Sequence, residues 1–319
     1  MATGCFVNIG SSVAAAEERV KAADRLGAEA VYSTQVAGHD TLTAMARFAA
    51  GTERVILGTG VVPIYTRTPA TMAQSAATLA EVSGGRFRLG IGVSHRPVVE
   101  HWHGQRIDRP VAEMREYATT VREILAGHPP GAGEKWPTSF MLALGERPVP
   151  IYIAALSPAM LRLAGEIADG VMLWLCNAEY VREVAIPAIA QGAAQGGRDL
   201  GDIDVVAAIP AAAADDPADA RASLRGELLP YFGLPFYRTM IERSGFGPDI
   251  AAFDAAGGDG ERMRAAISDD FIDSLAGVGG DSAVGDAVRR YRDAGASSPC
   301  VNVVGGADFE RTLAAALAA

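Results

Sequence analysis

The hydrophobic positions of the chain fall into two alternating rhythms. Short, nearly continuous apolar runs rich in Val, Ile, Ala and Gly are each followed by a longer stretch in which apolar residues recur three and four apart. The runs read as strands buried on both faces and the stretches as amphipathic helices packed on them, the pattern of repeated βα units around a parallel sheet. Cys5 to Ile9 opens the series and leads to a helix around Ala14 to Leu26, with Ala16, Val20 and Ala23 on one face and Gly27 as its stop. Further strands are expected at Ala30 to Thr34, Val55 to Gly60, Phe87 to Gly92, Pro150 to Ala155, Gly170 to Leu175, Asp204 to Ile209 and Cys300 to Val304. Asp40, Thr68-Pro69 and Ser157-Pro158 are helix-start signals, the prolines suiting the first helical position. Helices follow with faces such as Leu42, Met45, Ala49 and Met72, Ala76, Leu79, Val82, and another runs from Val111 to Ala126 before Gly127.

Eight strands in this order favour a (β/α)8 TIM barrel over a doubly wound sheet, with residues 1–319 as a single domain. One region breaks the rhythm. Between about Pro210 and Gly280 the chain holds a helix from Pro217 to Leu229, the aromatic segment Tyr231 to Tyr237 and a helix from Gly260 to Ser268, read as an insertion after strand seven that lies over the barrel mouth. A helix from Ser282 to Ala294 and a terminal helix from Ala307 complete the pattern.

Composition narrows the class. The chain is 49% hydrophobic and 21% charged with mean hydropathy +0.15, and it lacks an apolar run of membrane-spanning length, so a soluble globular protein is expected. A net charge of −10 disfavours nucleic acid and anionic membranes as partners. Cys5, Cys176 and Cys300 are odd in number and lack CxxC spacing, which fits a reducing cytoplasm and supports neither a disulfide framework nor zinc. No secretory leader pattern opens the chain. His101-Trp102-His103 resembles a metal-ligand pair only superficially, since i,i+2 side chains on a helix diverge, and no metal is expected.

In a barrel of this kind chemistry sits just beyond the C-terminal ends of the strands. After strand four, Gly92-Val93-Ser94-His95-Arg96 delivers two ionisable side chains into the mouth. His95 there is able to move a proton near neutral pH, or is a loop histidine bonded to backbone; Arg96 either holds an anion or pairs with Glu100. After strand five, Ala155-Leu156-Ser157 runs into a helix reaching Met160 and beyond, whose first N–H groups favour an anion, although ordinary capping explains Ser157 as well. Gly58-Thr59-Gly60-Val61 ends strand three with two glycines, where the backbone can approach a flat ligand because no Cβ intrudes. Arg67 is a candidate helix-start ion pair.

The run Gly51 to Gly92 (GTERVILGTGVVPIYTRTPATMAQSAATLAEVSGGRFRLGIG) and the run Val149 to Gly170 (VPIYIAALSPAMLRLAGEIADG) closely resemble the luciferase-like monooxygenase superfamily. Within it, the branch of coenzyme F420-dependent oxidoreductases related to methylenetetrahydromethanopterin reductase and F420-dependent glucose-6-phosphate dehydrogenase is the most similar. The likeness spans nearly the whole chain except about Pro210 to Asp270. It implies a deazaflavin lying across the strand ends with hydride transfer at C5, a non-prolyl cis peptide at Gly60-Val61 behind its ring, and the cofactor phosphate at Leu156 and Ser157. Thr59, Gly60, Val61, Gly92, Val93, Ser94, Ala155, Leu156, Ser157 and Met160 are the implied cofactor-binding residues. A homodimer joined through the second and third helices is also implied.

Two departures bear on mechanism. Many members carry Asp-His after strand two, where this chain has Gln35-Val36, leaving His39 as the nearest imidazole. The acidic residue after strand four aligns with His95. The segments Thr34-Gln35, Gly38, Asp40 and Ser94-His95-Arg96-Pro97 are similar to an actinobacterial subgroup, and with Lys21 and Lys135 the only lysines a sugar-phosphate substrate is disfavoured. The expected function is therefore a reduced-F420-dependent reductase of a C=C or C=N bond in a small organic substrate. His95 is expected to donate the proton, Gln35 to hydrogen-bond the ring or substrate, and Arg96, His39, Tyr65 and Trp174 to meet the substrate, with the Tyr231 to Tyr237 segment closing off water. The alternatives are a reduced-FMN-dependent monooxygenase using O2 and a non-catalytic flavin-binding barrel.

Overall fold

A computed structural model describes residues 2–319. Ten strands form one sheet: β1 Gly4–Phe6, β2 Ala30–Ser33, β3 Ile56–Thr59, β4 Val62–Pro63, β5 Phe87–Gly92, β6 Ile151–Ala154, β7 Gly170–Trp174, β8 Asp204–Ala213, β9 Gly277–Gly279 and β10 Ser298–Val303. Eight of them run β1-β2-β3-β5-β6-β7-β8-β10 in parallel, and the ring closes because β10 pairs with both β8 and β1. This is the (β/α)8 barrel expected, with the bulge strand β4 beside β5 and β9 beside the end of β8.

Local signals decide the outer layer. Ser12, Asp40, Thr68 and Ser157 each cap a helix by accepting a backbone N–H with the side chain, and prolines 69 and 158 occupy the first helical turn. Gly27 ends the first helix in the left-handed conformation, φ 85°, that a Cβ would disfavour. Val20, Met45, Met72, Val121, Leu161, Ile189 and Val288 on the helix inner faces pack on the outward side chains of the strands.

The barrel interior has two unlike halves. Toward the strand N-termini, Arg88 donates to the Tyr32 hydroxyl at 3.0 Å and lies 3.4 Å from Asp204. Asp204 also accepts from Tyr152 (2.9 Å), Ser297 (2.6 Å) and Ser298 (2.7 Å). Above this network Tyr32, Tyr152, Met172, Val206 and Cys300 fill the lumen and are buried. Toward the strand C-termini the inward residues Phe6, Val61, Ala154, Trp174 and Asn302 are only partly buried, and Gly92 contributes no side chain. The floor is packed and the mouth is open.

One expectation is corrected here. Strand seven does not end at Ile209: β8 continues to Ala213, with Pro210 opposite Asn302 of β10 and Ala211 opposite Gly277 of β9. A proline reads as a strand terminator because it lacks an N–H, and in β8 it ends no pairing. The glycines of strand three have a reason within the protein: a Cβ on Gly58 would come within 2.6 Å of the Tyr32 ring and one on Gly60 within 2.5 Å of the Phe6 ring, so crowding by neighbouring barrel rings by itself requires them.

The insertion begins after β8. Its helices span Ala218–Phe232, Pro235–Ile241, Gly247–Ala255, Gly260–Ala265 and Asp269–Leu275, and the later helices Asp281–Asp293 and Phe309–Leu317 follow as expected. Phe232, Phe253, Phe246 and Phe271 pack ring against ring here, joined to the main core between strands and outer helices and apart from the lumen cluster.

Candidate active site

The loop after β2 clasps the end of β3. Thr34 donates its hydroxyl to the Gly60 carbonyl at 2.6 Å, and the Gln35 N–H donates to the Val61 carbonyl at 3.2 Å. The Gly60-Val61 peptide between them is cis, at the bond where the family resemblance placed it. Thr59 is fully buried, and its hydroxyl is spent on β5, donating to the Gly90 carbonyl (2.7 Å) and accepting the Gly90 N–H (2.9 Å).

Immediately after β5 and β7 stand Ser94 (φ 59°) and Leu175 (φ 60°), the only non-glycine residues with left-handed backbone among the described residues. Such backbone costs on the order of 1–3 kcal/mol per residue and tends to gather where function fixes the chain path. Ser94 sets the direction of His95. That imidazole is half-buried, its ring centroid 5.6 Å from Tyr237, and burial lowers its pKa below the ordinary 6.5. Tyr237 stacks edge-on with Tyr231 at 4.7 Å, and Tyr231 meets Trp174 at 6.1 Å. His95, Tyr237, Tyr231 and Trp174 thus form a continuous aromatic wall, built from the ends of β5 and β7 and from the insertion.

The wall contains one unsatisfied donor. The indole N–H of Trp174 is buried without an acceptor. Burial raises the Tyr231 hydroxyl pKa, and the neighbouring Trp174 N–H offsets part of that rise without reaching hydrogen-bond geometry. The insertion is fastened to the mouth by Asn177, whose amide donates to the Ser244 carbonyl (3.5 Å) and the Ser274 hydroxyl (3.4 Å) while its oxygen caps Tyr180.

At the end of β6, Ala155 is buried, the Leu156 carbonyl accepts the Tyr180 hydroxyl at 2.7 Å, and the Ser157 hydroxyl accepts the N–H of Met160 at 3.3 Å. The start of the helix Pro158–Ile167 faces the mouth with its positive end.

Several expected site residues point elsewhere. Tyr65 does not line the mouth: it is buried, its hydroxyl donates to Glu113, and its ring packs on Trp136 at 5.8 Å. Arg96 pairs with Glu100, the second of its two readings, and Arg67 pairs with Asp40. The side-chain oxygen of Gln35 accepts from the Thr41 N–H at 3.3 Å, and His39 is exposed in the loop before that helix. His95, Trp174, Val61, Gly92 and the Leu156–Ser157 turn all lie at or just past strand C-termini, with His95 joined to Trp174 through Tyr237 and Tyr231 and Gly92 set against Val61.

The left-handed backbone of Leu175 and the part played by Glu113 escaped the sequence reading. Glu113 accepts the N–H groups of Asp108 (3.3 Å) and Arg109 (3.2 Å) as well as the Tyr65 hydroxyl. Its position, three residues into a helix that starts with proline, was an available capping signal. Desolvation acts to raise the Glu113 carboxyl, and the bonds from Tyr65 and the two N–H groups outweigh it, so its pKa lies below the ordinary value.

The mouth is rimmed by Phe6, Val61, Ala154 and Trp174, and Gly92 leaves room there for the Val61 side chain, which a Cβ would approach to 2.7 Å. A model of the luciferase-like monooxygenase family matches residues 2–298. The chain belongs to that family. This luciferase-like barrel is 31% identical to a Mycobacterium tuberculosis protein named coenzyme F420-dependent oxidoreductase, over 93% of each chain. It is 33% identical to the 5,10-methylenetetrahydromethanopterin reductase of Methanolobus tindarius, over 80% of this chain and 79% of that one. The solved coenzyme F420-dependent tetrahydromethanopterin reductase from Methanopyrus kandleri superposes with a TM-score of 0.84 at 24% identity, covering 98% and 96% of the two chains, and so shares the fold.

Proposed function

We propose that this chain reduces a C=C or C=N bond of a small organic molecule, with His95 as proton donor. It is a coenzyme F420-dependent oxidoreductase, supported by the relatives that carry that name and by the shared fold. The observation that carries the finer reading is the half-buried His95, held at the recess edge by the left-handed Ser94 and flanked by aromatic rings instead of a carboxylate.

When bound, the reduced deazaflavin supplies a hydride. Val61, Gly92 and Ala154 shape the surface its ring rests on, and the Leu156–Ser157 turn with the N-terminus of helix Pro158–Ile167 holds its anionic tail. Tyr231, Tyr237 and Trp174 keep water from the reacting carbon. His95 gives a proton to the substrate atom that becomes electron-rich. Burial makes its imidazolium a stronger acid while reducing the protonated fraction at neutral pH.

Titrating the purified chain separately with F420 and with FMN tests the cofactor. Saturable micromolar binding of F420 is expected. Binding of FMN at that level with none of F420 would replace this reading with an FMN-dependent monooxygenase on the same barrel.

A further inference from the structure

We propose that the substrate is a neutral, largely aromatic molecule with a hydrogen-bond acceptor, such as an aryl enone or aryl imine, and that Trp174 selects it. The inference deepens the reductase reading and rests on it.

Three independent observations point this way. The first is charge: Arg67 is neutralised by Asp40 and Arg96 by Glu100, Arg243 lies by Tyr180 at the Leu156 turn and not on the aromatic wall, and burial favours the uncharged form of His95. An anionic substrate would leave water for a wall made of aromatic rings, which is costly. The second is surface. The three most exposed large hydrophobic side chains among the described residues, Phe236 (65%), Val36 (61%) and Trp102 (57%), belong to the helix Pro235–Ile241 that carries Tyr237, the loop after β2 and the helical turn Val98–Trp102 after His95. Apolar groups rimming a recess are a common mark of an apolar ligand's entry.

The third is the Trp174 N–H. A buried donor without an acceptor is uncommon, and here it stands at the end of a barrel strand against Tyr231. Tyr231 belongs to the helix Ala218–Phe232 and not to the barrel, and for the proposed ligand to enter, its ring has to turn aside from Trp174. A carbonyl oxygen or imine nitrogen placed there satisfies the indole, and the ligand's ring stacks on Tyr231 and Tyr237. A site that pairs such a donor discriminates against an analogue lacking the acceptor.

The test is calorimetric titration of the full chain, with and without F420, using three ligands of one shape: 2-acetylnaphthalene, 2-isopropylnaphthalene and 2-naphthoate. The ketone is expected to bind about tenfold more tightly than the hydrocarbon and more than about tenfold more tightly than the carboxylate. In Trp174→Phe, which keeps a ring and removes the donor, the ketone and hydrocarbon should differ by no more than about twofold. Naphthoate binding as tightly as the ketone, no binding by any of the three, or an unchanged ketone preference in Trp174→Phe would overturn the proposal. If Trp174→Phe does not fold, the ranking on the unmodified chain decides. F420 binding is read in its own titration, so failure of the cofactor assignment and failure of the substrate class are separately visible.

Discussion

The two ends of the barrel lumen treat their polar groups in opposite ways. At the floor, Asp204 accepts three hydroxyls and faces Arg88, and Arg88 in turn reaches Tyr32. At the mouth, Trp174 has a buried N–H with nothing to receive it, His95 has aromatic neighbours and no carboxylate, and two residues hold left-handed backbone that only glycine takes freely. The same ring of strands thus carries a self-satisfied end, which adds stability, and an unfinished end, whose deficits a ligand would meet. The contrast predicts that substitutions at the two ends separate stability from activity.

The largest effect is expected at the mouth. His95→Ala should lower reductive turnover by about 100-fold to 1,000-fold, the range for loss of a proton-transfer group, while leaving the urea midpoint almost unmoved. The pH dependence carries a sign. A donor must be protonated, and burial sets the His95 pKa below 6.5, so reductive turnover should fall as pH rises through a midpoint below that value. The reverse, oxidative direction should rise across the same midpoint. A rate flat from about pH 5 to about pH 7 would remove His95 from proton transfer.

At the floor the order reverses. Asp204→Ala leaves Arg88 with only Glu29, at 3.8 Å, as a carboxylate partner and leaves the hydroxyls of Tyr152, Ser297 and Ser298 without their acceptor. A loss of about 3 kcal/mol is expected, since breaking an ion pair and its hydrogen bonds costs more than the pair contributes. Chemical denaturation measures it, and F420 affinity of the folded fraction should stay within about twofold. A variant as stable as the parent would mean that the floor network is dispensable.

How much of this was legible beforehand follows from range. The strands, caps and helix stops rest on residues a few positions apart, such as Ser157-Pro158 or Gly27, and they fall where the sequence puts them. The position of His95 was legible for the same reason, because it follows a strand directly. What was not legible depends on contacts between residues distant in the chain. Gly60 is required by Phe6, Tyr65 is turned away by Glu113, and the Trp174 N–H is left unpaired because of where Tyr231 lies. Pro210 misled for a local reason: its missing N–H suggested a strand end, and β8 continues past it.

Glu113 sharpens the contrast from behind the mouth wall. It anchors Tyr65, which follows the β3 bulge, and it accepts two backbone N–H groups. Glu113→Gln should cost about 2 kcal/mol at neutral pH, as charge-assisted bonds become ordinary ones. The native carboxyl titrates below its ordinary 4.5, so the stability due to its charge is present above that value and is lost as pH falls through the native pKa. The gap between parent and variant should therefore narrow in acid. A gap that is the same at about pH 7 and about pH 3.5 would show that the charge is not what holds Tyr65.

The smallest effect is also the most discriminating. Ser94→Gly relieves a left-handed φ of 59° at a partly exposed residue, so no cavity complicates the comparison. Relief of about 1 kcal/mol in the native state is offset by a similar gain of freedom in the unfolded chain, and stability should stay within about 0.5 kcal/mol of the parent. Turnover should nevertheless drop about threefold to tenfold, because a glycine before His95 lets the imidazole leave the geometry that transfer requires. At the floor, a loss of activity is expected only alongside a loss of stability; here activity falls alone. If Ser94→Gly instead loses more than about 1 kcal/mol with turnover intact, the turn after β5 is held by favourable local bonds, and the mouth would prove as self-satisfied as the floor.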